Sequence, residues 1–322
     1  MQQPYQYVSN RRESIPFGLP EGRLLDTPRN AEYMKDAQSL ERAAREGAVL
    51  EARALLCDSG HNIVVDLGCM KGVIPREEGA RGIADGSVRD VAMISRVGKP
   101  VCFEVRELAA DQRGDKYALL SRRAVQERFV AERVMKLRRG DVIEARVTHL
   151  EPFGAFVDIG CGVPSLISID AISVSRISHP RDRFCVDMDI RAVVLSVDGS
   201  GRVELSHREL LGTWLENASR FRPGETVAGV VRSVEEYGIF VELAPNLAGL
   251  AEYREGVRAG MGASVFIKSI NPERMKIKLA LVDTFRRPDT PPAPYYFFTG
   301  RHMSRFRYSP RMCMRSVETV FD

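Results

Sequence analysis

The sequence predicts a mainly β protein of three tandem, small five-stranded barrels joined by short helices, with a helical segment before them and an aromatic, basic tail after them. Three observations predict it: a unit recurs, period-two hydrophobic alternation with glycine turns fills each copy, and helically spaced apolar residues separate the copies. Residues 140–160 read GDVIEARVTHLEPFGAFVDIG and residues 224–243 read GETVAGVVRSVEEYGIFVEL, with Gly140 to Phe153 and Gly224 to Tyr237 at the same spacing. A weaker copy, LEARALLCDSGHNIVVDLGC, spans 50–69, where VVDLGC aligns with FVDIGC at 156–161. Each copy has a later strand-like run: YALLSRR at 117–123, RVELSHR at 202–208 and KIKLALV at 276–282.

Taken in order, Thr27-Pro28 has the chemistry of a helix start, and Ser39–Glu46 followed by Gly47 reads as a short helix with its stop, giving a helical extension over 1–46. The first, divergent barrel is expected over 47–124. Residues 125–139 are a basic helical linker; over 121–139 there are 7 basic and 2 acidic residues, with Val125, Phe129, Val130, Val134 and Leu137 at helical spacing. That helix either faces nucleic acid or docks its apolar stripe and leaves a solvated face. The second barrel is expected over 140–208. There Ala145 and Val147 alternate with Glu144, Arg146 and Thr148, and after Gly154 the residues Ala155, Val157 and Ile159 alternate with Phe156 and Asp158. Alternation on both sides of a glycine turn is a hairpin, and several short strands closing within about 70 residues suit an OB-type barrel. A short helical linker around Trp214 fills 209–223, the third barrel 224–283, and the tail 284–322.

The tail begins with PDTPPAP, then interleaves Tyr295, Tyr296, Phe297, Phe298, Arg301, Arg305, Phe306, Arg307, Tyr308 and Arg311. Its 39 residues hold 8 of the 24 aromatics, too many for a solubilising arm. Two readings stand: a strap packing on the barrels, favoured for 295–298, and an RNA-contacting arm, favoured for 301–311. Charge follows the same partition. Residues 1–283 carry 40 basic and 40 acidic side chains and the tail 7 and 3, so the formal charge of +4 sits in the tail.

Composition excludes several classes. No uncharged stretch exceeds eleven residues, too short for a bilayer core of about 30 Å, and no signal-peptide core follows Arg11 and Arg12, so a cytoplasmic protein without membrane contact is expected. Six scattered cysteines with no CxxC pair argue against a disulfide framework or a zinc site. No cofactor is implied. There is no phosphate-binding P-loop, no dinucleotide fingerprint and no HExxH, so a non-enzymatic protein is expected.

The chemistry lies on the second hairpin strand. With Ala155, Val157 and Ile159 inward, Phe156 points outward beside Asp158; likewise Phe240 shares the outer face with Glu242, and Val64 holds that place in the first copy. An outward Phe preceded by another aromatic (Phe153, Tyr237) forms a stacking platform for unpaired bases unless helices or a neighbouring unit cover it.

These residues resemble the S1 RNA-binding domain family, named after the largest protein of the bacterial small ribosomal subunit. The resemblance rests on ARVTHLEPFGAFV at 145–157 and DGSGRVELS at 198–206; GVIP at 72–75 followed by SRR at 121–123 is similar to the early repeats of that ribosomal protein and its shorter homologues. It implies a nucleic-acid face of two hairpin aromatics, a histidine in the next segment, and an Asp and an Arg near the later strand. Carried over, the second copy supplies Phe153, Phe156, Asp198 and Arg202, with Ser168 at the histidine position. The third supplies Tyr237, Phe240 and Lys276, with Glu252 and Asn271 replacing the histidine and the aspartate; the first has His61, Val64 and Pro75. Because Glu252 would repel a phosphate backbone, the second copy is expected to bind best, the third weakly, and the first to serve packing or protein contacts. The loop SRISHPRDRF at 175–184 adds Arg176, His179, Arg181 and Arg183, either a phosphate clamp or a set paired internally with Asp182 and the acidic remainder of that unit.

The resemblance implies a single-stranded RNA-binding protein acting in translation, with messenger or ribosomal RNA and the small ribosomal subunit as partners. The alternative is a protein-interaction scaffold or regulatory subunit of a ribosomal or RNA-processing complex. Oligomeric state has no signature in the sequence.

Overall fold

Local chemistry starts and stops the helices before the first barrel. In a computed structural model describing residues 17–288 and 290–322, Thr27 accepts a hydrogen bond from the Asn30 N–H and Pro28 opens α1 (Pro28–Met34). Asp36 caps α2 (Ala37–Glu46) through the Ser39 N–H, which sets the start two residues before Ser39. Gly47 closes α2 at φ 59°, a left-handed conformation that favours glycine. The expectations about Arg11 and Arg12 lie outside the described residues.

Three closed five-stranded barrels follow. The first comprises β1 (Leu50–Cys57), β2 (Ile63–Asp66), β3 (Lys71–Ile74), β4 (Pro100–Ala110) and β5 (Lys116–Ser121), with α3 (Val91–Ile94) between β3 and β4 and α4 (Arg122–Glu132) after β5. The second comprises β6 (Val142–Glu151), β7 (Gly154–Asp158), β8 (Pro164–Ser168), β9 (Asp189–Val197) and β10 (Val203–Ser206), with α5 (Ile169–Ile172) after β8 and α6 (Trp214–Ala218) after the barrel. The third comprises β11 (Thr226–Glu235), β12 (Gly238–Ala244), β13 (Leu247–Ala251), β14 (Gly262–Asn271) and β15 (Lys276–Phe285). In each barrel the third strand pairs parallel with the fifth, and every other pairing is antiparallel.

Each long first strand serves two neighbours, and its register shifts at the same place: between Ala54 and Leu56, Val147 and His149, and Val231 and Ser233. A bulge there bends the strand enough to pair with the hairpin partner at one end and the fourth strand at the other, which closes the barrel. Ala145, Val147, Ala155 and Val157 are fully buried, as are Ile239 and Val241 in the third barrel, so the inward set read from alternation is the core. The glycine between each pair of aromatics has a steric cause. A Cβ on Gly154 would lie 2.5 Å from the Ile167 carbonyl oxygen, and one on Gly238 2.5 Å from that of Ala251.

The chain divides into two compact units, one through Phe129 and one from Val130 to Asp322. In the first, Glu21 is buried against Arg122 (2.7 and 3.0 Å) and accepts the Cys102 N–H. Burial pushes that carboxyl up, but the charge and hydrogen bond of Arg122 outweigh it and hold the group below its ordinary value. Arg123 pairs with Glu78, and Arg128 bonds the Gly47 carbonyl. The basic linker is therefore a docked helix that ends at Glu132, before a single 3-10 turn over Val134–Lys136, and three of its arginines are committed to internal partners.

The second unit contains the second and third barrels and the tail. The tail is a strap. Met303, Phe306, Tyr308 and Phe321 join one buried cluster with Val193 of the second barrel, Trp214 of the linker and the third barrel's core, and β16 (Arg305–Arg307) pairs antiparallel with β17 (Glu318–Val320). Arg191 donates to the carbonyls of Phe298, Thr299 and Gly300, and its N–H reaches the Tyr296 hydroxyl oxygen at 2.9 Å. His207 lies between the Ile172 carbonyl (3.0 Å from Nδ1) and the Tyr296 hydroxyl (3.2 Å from Nε2). Burial lowers this imidazole to about 4, so it is neutral near pH 7; a carbonyl only accepts, so Nδ1 carries the proton and Nε2 accepts from Tyr296. No helix among the described residues is long and apolar enough to cross a membrane.

Candidate nucleic-acid interface

The two hairpins present their aromatics in the same arrangement. Phe153 and Phe156 meet edge to face, centroids 6.0 Å apart at 88°, and Tyr237 and Phe240 meet at 6.1 Å and 87°. Phe153 is 55% and Tyr237 69% exposed, so within their unit neither the helices nor the other barrel covers them. Phe156 and Phe240 are half-buried rather than fully outward. The shared glycine fixes this geometry, because it lets the third strand approach and turns the chain between the rings.

Other residues expected on the second barrel's face are distributed unevenly. Ser168 ends β8 and is exposed, and the Arg202 side chain is exposed. Asp198 closes the β9–β10 loop, accepting from the Ser200 hydroxyl (2.7 Å) and the Arg202 N–H (2.9 Å). The Ser200 hydroxyl, helped by the Arg202 N–H, holds its carboxyl below the ordinary value. Asn271 does the same turn-closing work for the Arg274 N–H in the third barrel. The residues expected to share the outer face with the rings prove buried. Asp158 accepts from the Gly160 and Gly162 N–H groups, and Glu242 is buried against Arg183 and Arg232.

The loop arginines do not converge. Arg183 is 7% exposed and pairs with Glu242 across the two barrels, so it is a structural ion pair and not part of a phosphate clamp. Arg176 is exposed beside Arg208 and Arg315, whereas Arg181 lies in a different cleft with Arg258. In the tail Arg305 is exposed but pairs with Glu318 at 2.6 Å, and Arg307 is half-buried.

On the third barrel Tyr237, Phe240, Leu250, Lys268, Lys276 and Lys278 line one groove of about 660 Å³ together with Glu252. Lys268 and Lys278 were not among the expected residues. Lys278 was legible, since it is two residues from Lys276 with buried Ile277 between them.

Residues 136–208 match the family described as S1 RNA binding domain. The second barrel, the S1 barrel, is the part of the chain that this family matches. Over 285 residues the chain is 28% identical to the small ribosomal subunit protein bS1 of Staphylococcus aureus (strain COL), an alignment covering 83% of this chain and 70% of that protein. To the protein of the same name from Leuconostoc lactis it is 28% identical over 262 residues, covering 76% of this chain and 58% of that one. Among solved structures, a multidomain protein with nucleic acid binding domains from Streptococcus pneumoniae TIGR4 aligns over 73% of each chain at 14% identity, with a TM-score of 0.24.

The S1 barrel and the third barrel differ in charge at equivalent places. Glu204 of the S1 barrel pairs in register with Leu166, as Lys278 of the third barrel pairs with Leu250. The S1 face thus sets Arg202 against Glu204, while the third face has three lysines against Glu252. Lys268 bonds Glu252 at 2.8 Å and lowers that carboxyl's proton affinity, so the repulsion expected from Glu252 is offset within the groove.

Proposed function

We propose that the chain binds single-stranded RNA without catalysis, associated with the small ribosomal subunit or messenger RNA in translation, through the aromatic faces of the S1 barrel and the third barrel. The observation that carries this is the repeated perpendicular pair, Phe153 with Phe156 and Tyr237 with Phe240, exposed beside Arg202 in one barrel and three lysines in the other. Rings of this kind stack on bases of any sequence, and the cations take phosphates, so affinity is salt-dependent and base preference weak. The ribosomal name of the aligned relatives supports the assignment to translation. The nearby carboxylates of Asp158, Asp198 and Glu242 are held in turns and ion pairs, which leaves them unsuited to gathering metal ions for hydrolysis.

The first barrel lacks the rings, and its unit exposes Leu55, Leu56, Val91 and Ile94, which favours a protein contact there. The RNA reading is tested by fluorescence anisotropy with labelled oligouridine of roughly 20 nucleotides, enough for two barrels at about 4 to 16 each. The single strand is expected to bind at least about tenfold more tightly than a duplex of the same length, with affinity falling steeply between about 50 and 200 mM salt. Equal binding of the duplex, or none of the single strand at the lower salt, would contradict it.

A further inference from the structure

Where the S1 barrel's loop meets the third barrel, a cleft of about 590 Å³ is lined by Arg181, Arg258, Arg286 and Arg287, with Asp182 and Phe285. Four guanidinium groups share one concavity. Asp182 is not free to neutralise them, because it pairs with Arg232 at 3.1 Å. Burial pushes the Asp182 carboxyl up, but Arg232 holds it below its ordinary value and keeps it ionised. Arg258, Arg286 and Arg287 have no acidic partner among the described residues, and Arg181 bonds through its Nε to His179. Like charges held together repel one another, and an anion in the cleft relieves that repulsion.

Phe285 adds a second kind of contact. It ends β15, its ring rests on Gly262, where a Cβ would lie 2.4 Å from it, and 43% of the residue stays exposed. A fixed, exposed ring among guanidinium groups suits a base with its phosphates, since the guanidinium fork matches phosphate oxygens and the ring has no use to a purely acidic chain. The cleft is separate from the aromatic groove. Lys276 and Phe285 stand at opposite ends of β15, nine residues apart, at most about 30 Å along the strand at roughly 3.3 Å per residue.

We propose that this cleft is a second RNA-contact site, in which Arg181, Arg258, Arg286 and Arg287 take phosphates and Phe285 stacks a base of the strand whose other part lies on the third barrel's aromatic groove. The site rests on the RNA-binding reading and extends it to longer ligands. It is tested in the full chain carrying Arg258→Ser, Arg286→Ser and Arg287→Ser, against a control that loses the same charge on the first unit (Arg45→Ser, Arg89→Ser, Arg113→Ser). Anisotropy is measured with oligouridines of roughly 20 and about 4 nucleotides, the shorter filling one barrel only.

The cleft variant is expected to bind the long strand at least about tenfold more weakly. Its log-log salt slope should be shallower by about 2, as three lost phosphate contacts at roughly 0.7 each require. Its affinity for the short strand should change less than about twofold, and the control should lose less than about threefold on the long strand. Thermal melting monitors folding of both variants. A cleft variant no weaker than the control on the long strand would overturn the proposal while leaving RNA binding intact. Failure of the unaltered chain to bind either strand would overturn RNA binding itself, and the cleft with it.

Discussion

Replacing Phe153, Phe156, Tyr237 and Phe240 by alanine together is expected to weaken binding of single-stranded RNA at least about a hundredfold while leaving the salt slope nearly unchanged. Base stacking on an exposed ring contributes about 1 to 3 kcal/mol, and about 1.4 kcal/mol is a factor of ten, so losing two stacked bases suffices. The slope is retained because Arg202, Lys268, Lys276 and Lys278 still meet phosphates. Neither exposed ring contributes to a barrel core, so melting should change little. The two pairs can be separated: with three lysines beside it, the Tyr237–Phe240 pair is expected to cost at least as much affinity as the Phe153–Phe156 pair. Isothermal titration or anisotropy on the two double variants reads this directly. A loss confined to the S1 pair would instead support the ranking that the sequence suggested.

Glu252, on which that ranking rests, has a partner that one-dimensional reading does not reach. The repeated spacing and the alternation around Gly154 and Gly238 fix strands, inward residues and ring positions, because each depends on neighbours one to four places away. Glu252 was legible as an acid on the face, but its neutralising Lys268 comes from β14, sixteen residues on, in a strand paired elsewhere in the barrel. Period two also placed Glu242 on the outer side of its strand, where an acid is ordinarily solvated. Its actual partner, Arg183, lies 59 residues earlier in a loop of the preceding barrel. Aromatic density in the tail announced packing, yet only the core shows that Phe306 and Tyr308, among the residues favoured for RNA, belong to the strap as well.

Glu242→Gln is expected to destabilise the second unit by about 3 to 5 kcal/mol, because Arg183 and Arg232 would remain buried without their shared carboxylate. For a unit of this size that corresponds to a melting temperature lower by roughly 6 to 20 °C. Glu242 is 5% exposed, so water cannot compensate in place. Burial pushes the Arg183 guanidinium down from its ordinary value and the charge and hydrogen bond of Glu242 oppose that, so without the carboxylate a buried, still charged arginine would stand uncompensated. Replacing both members, Arg183→Met with Glu242→Leu, leaves Arg232 paired with Asp182 and is expected to recover most of the loss. Differential scanning calorimetry of the two variants decides it. An unchanged transition in Glu242→Gln would show that the pair contributes nothing to joining the barrels.

The central claim, that RNA lies on the aromatic faces of the S1 barrel and the third barrel, is tested most directly by ultraviolet cross-linking of oligouridine to the full chain, followed by mass spectrometry of the joined peptides. Cross-links are expected at Phe153 or Phe156 and at Tyr237 or Phe240, with none in the first barrel around His61 and Val64. Cross-links confined to the first barrel or to the strap at 295–308 would contradict the account.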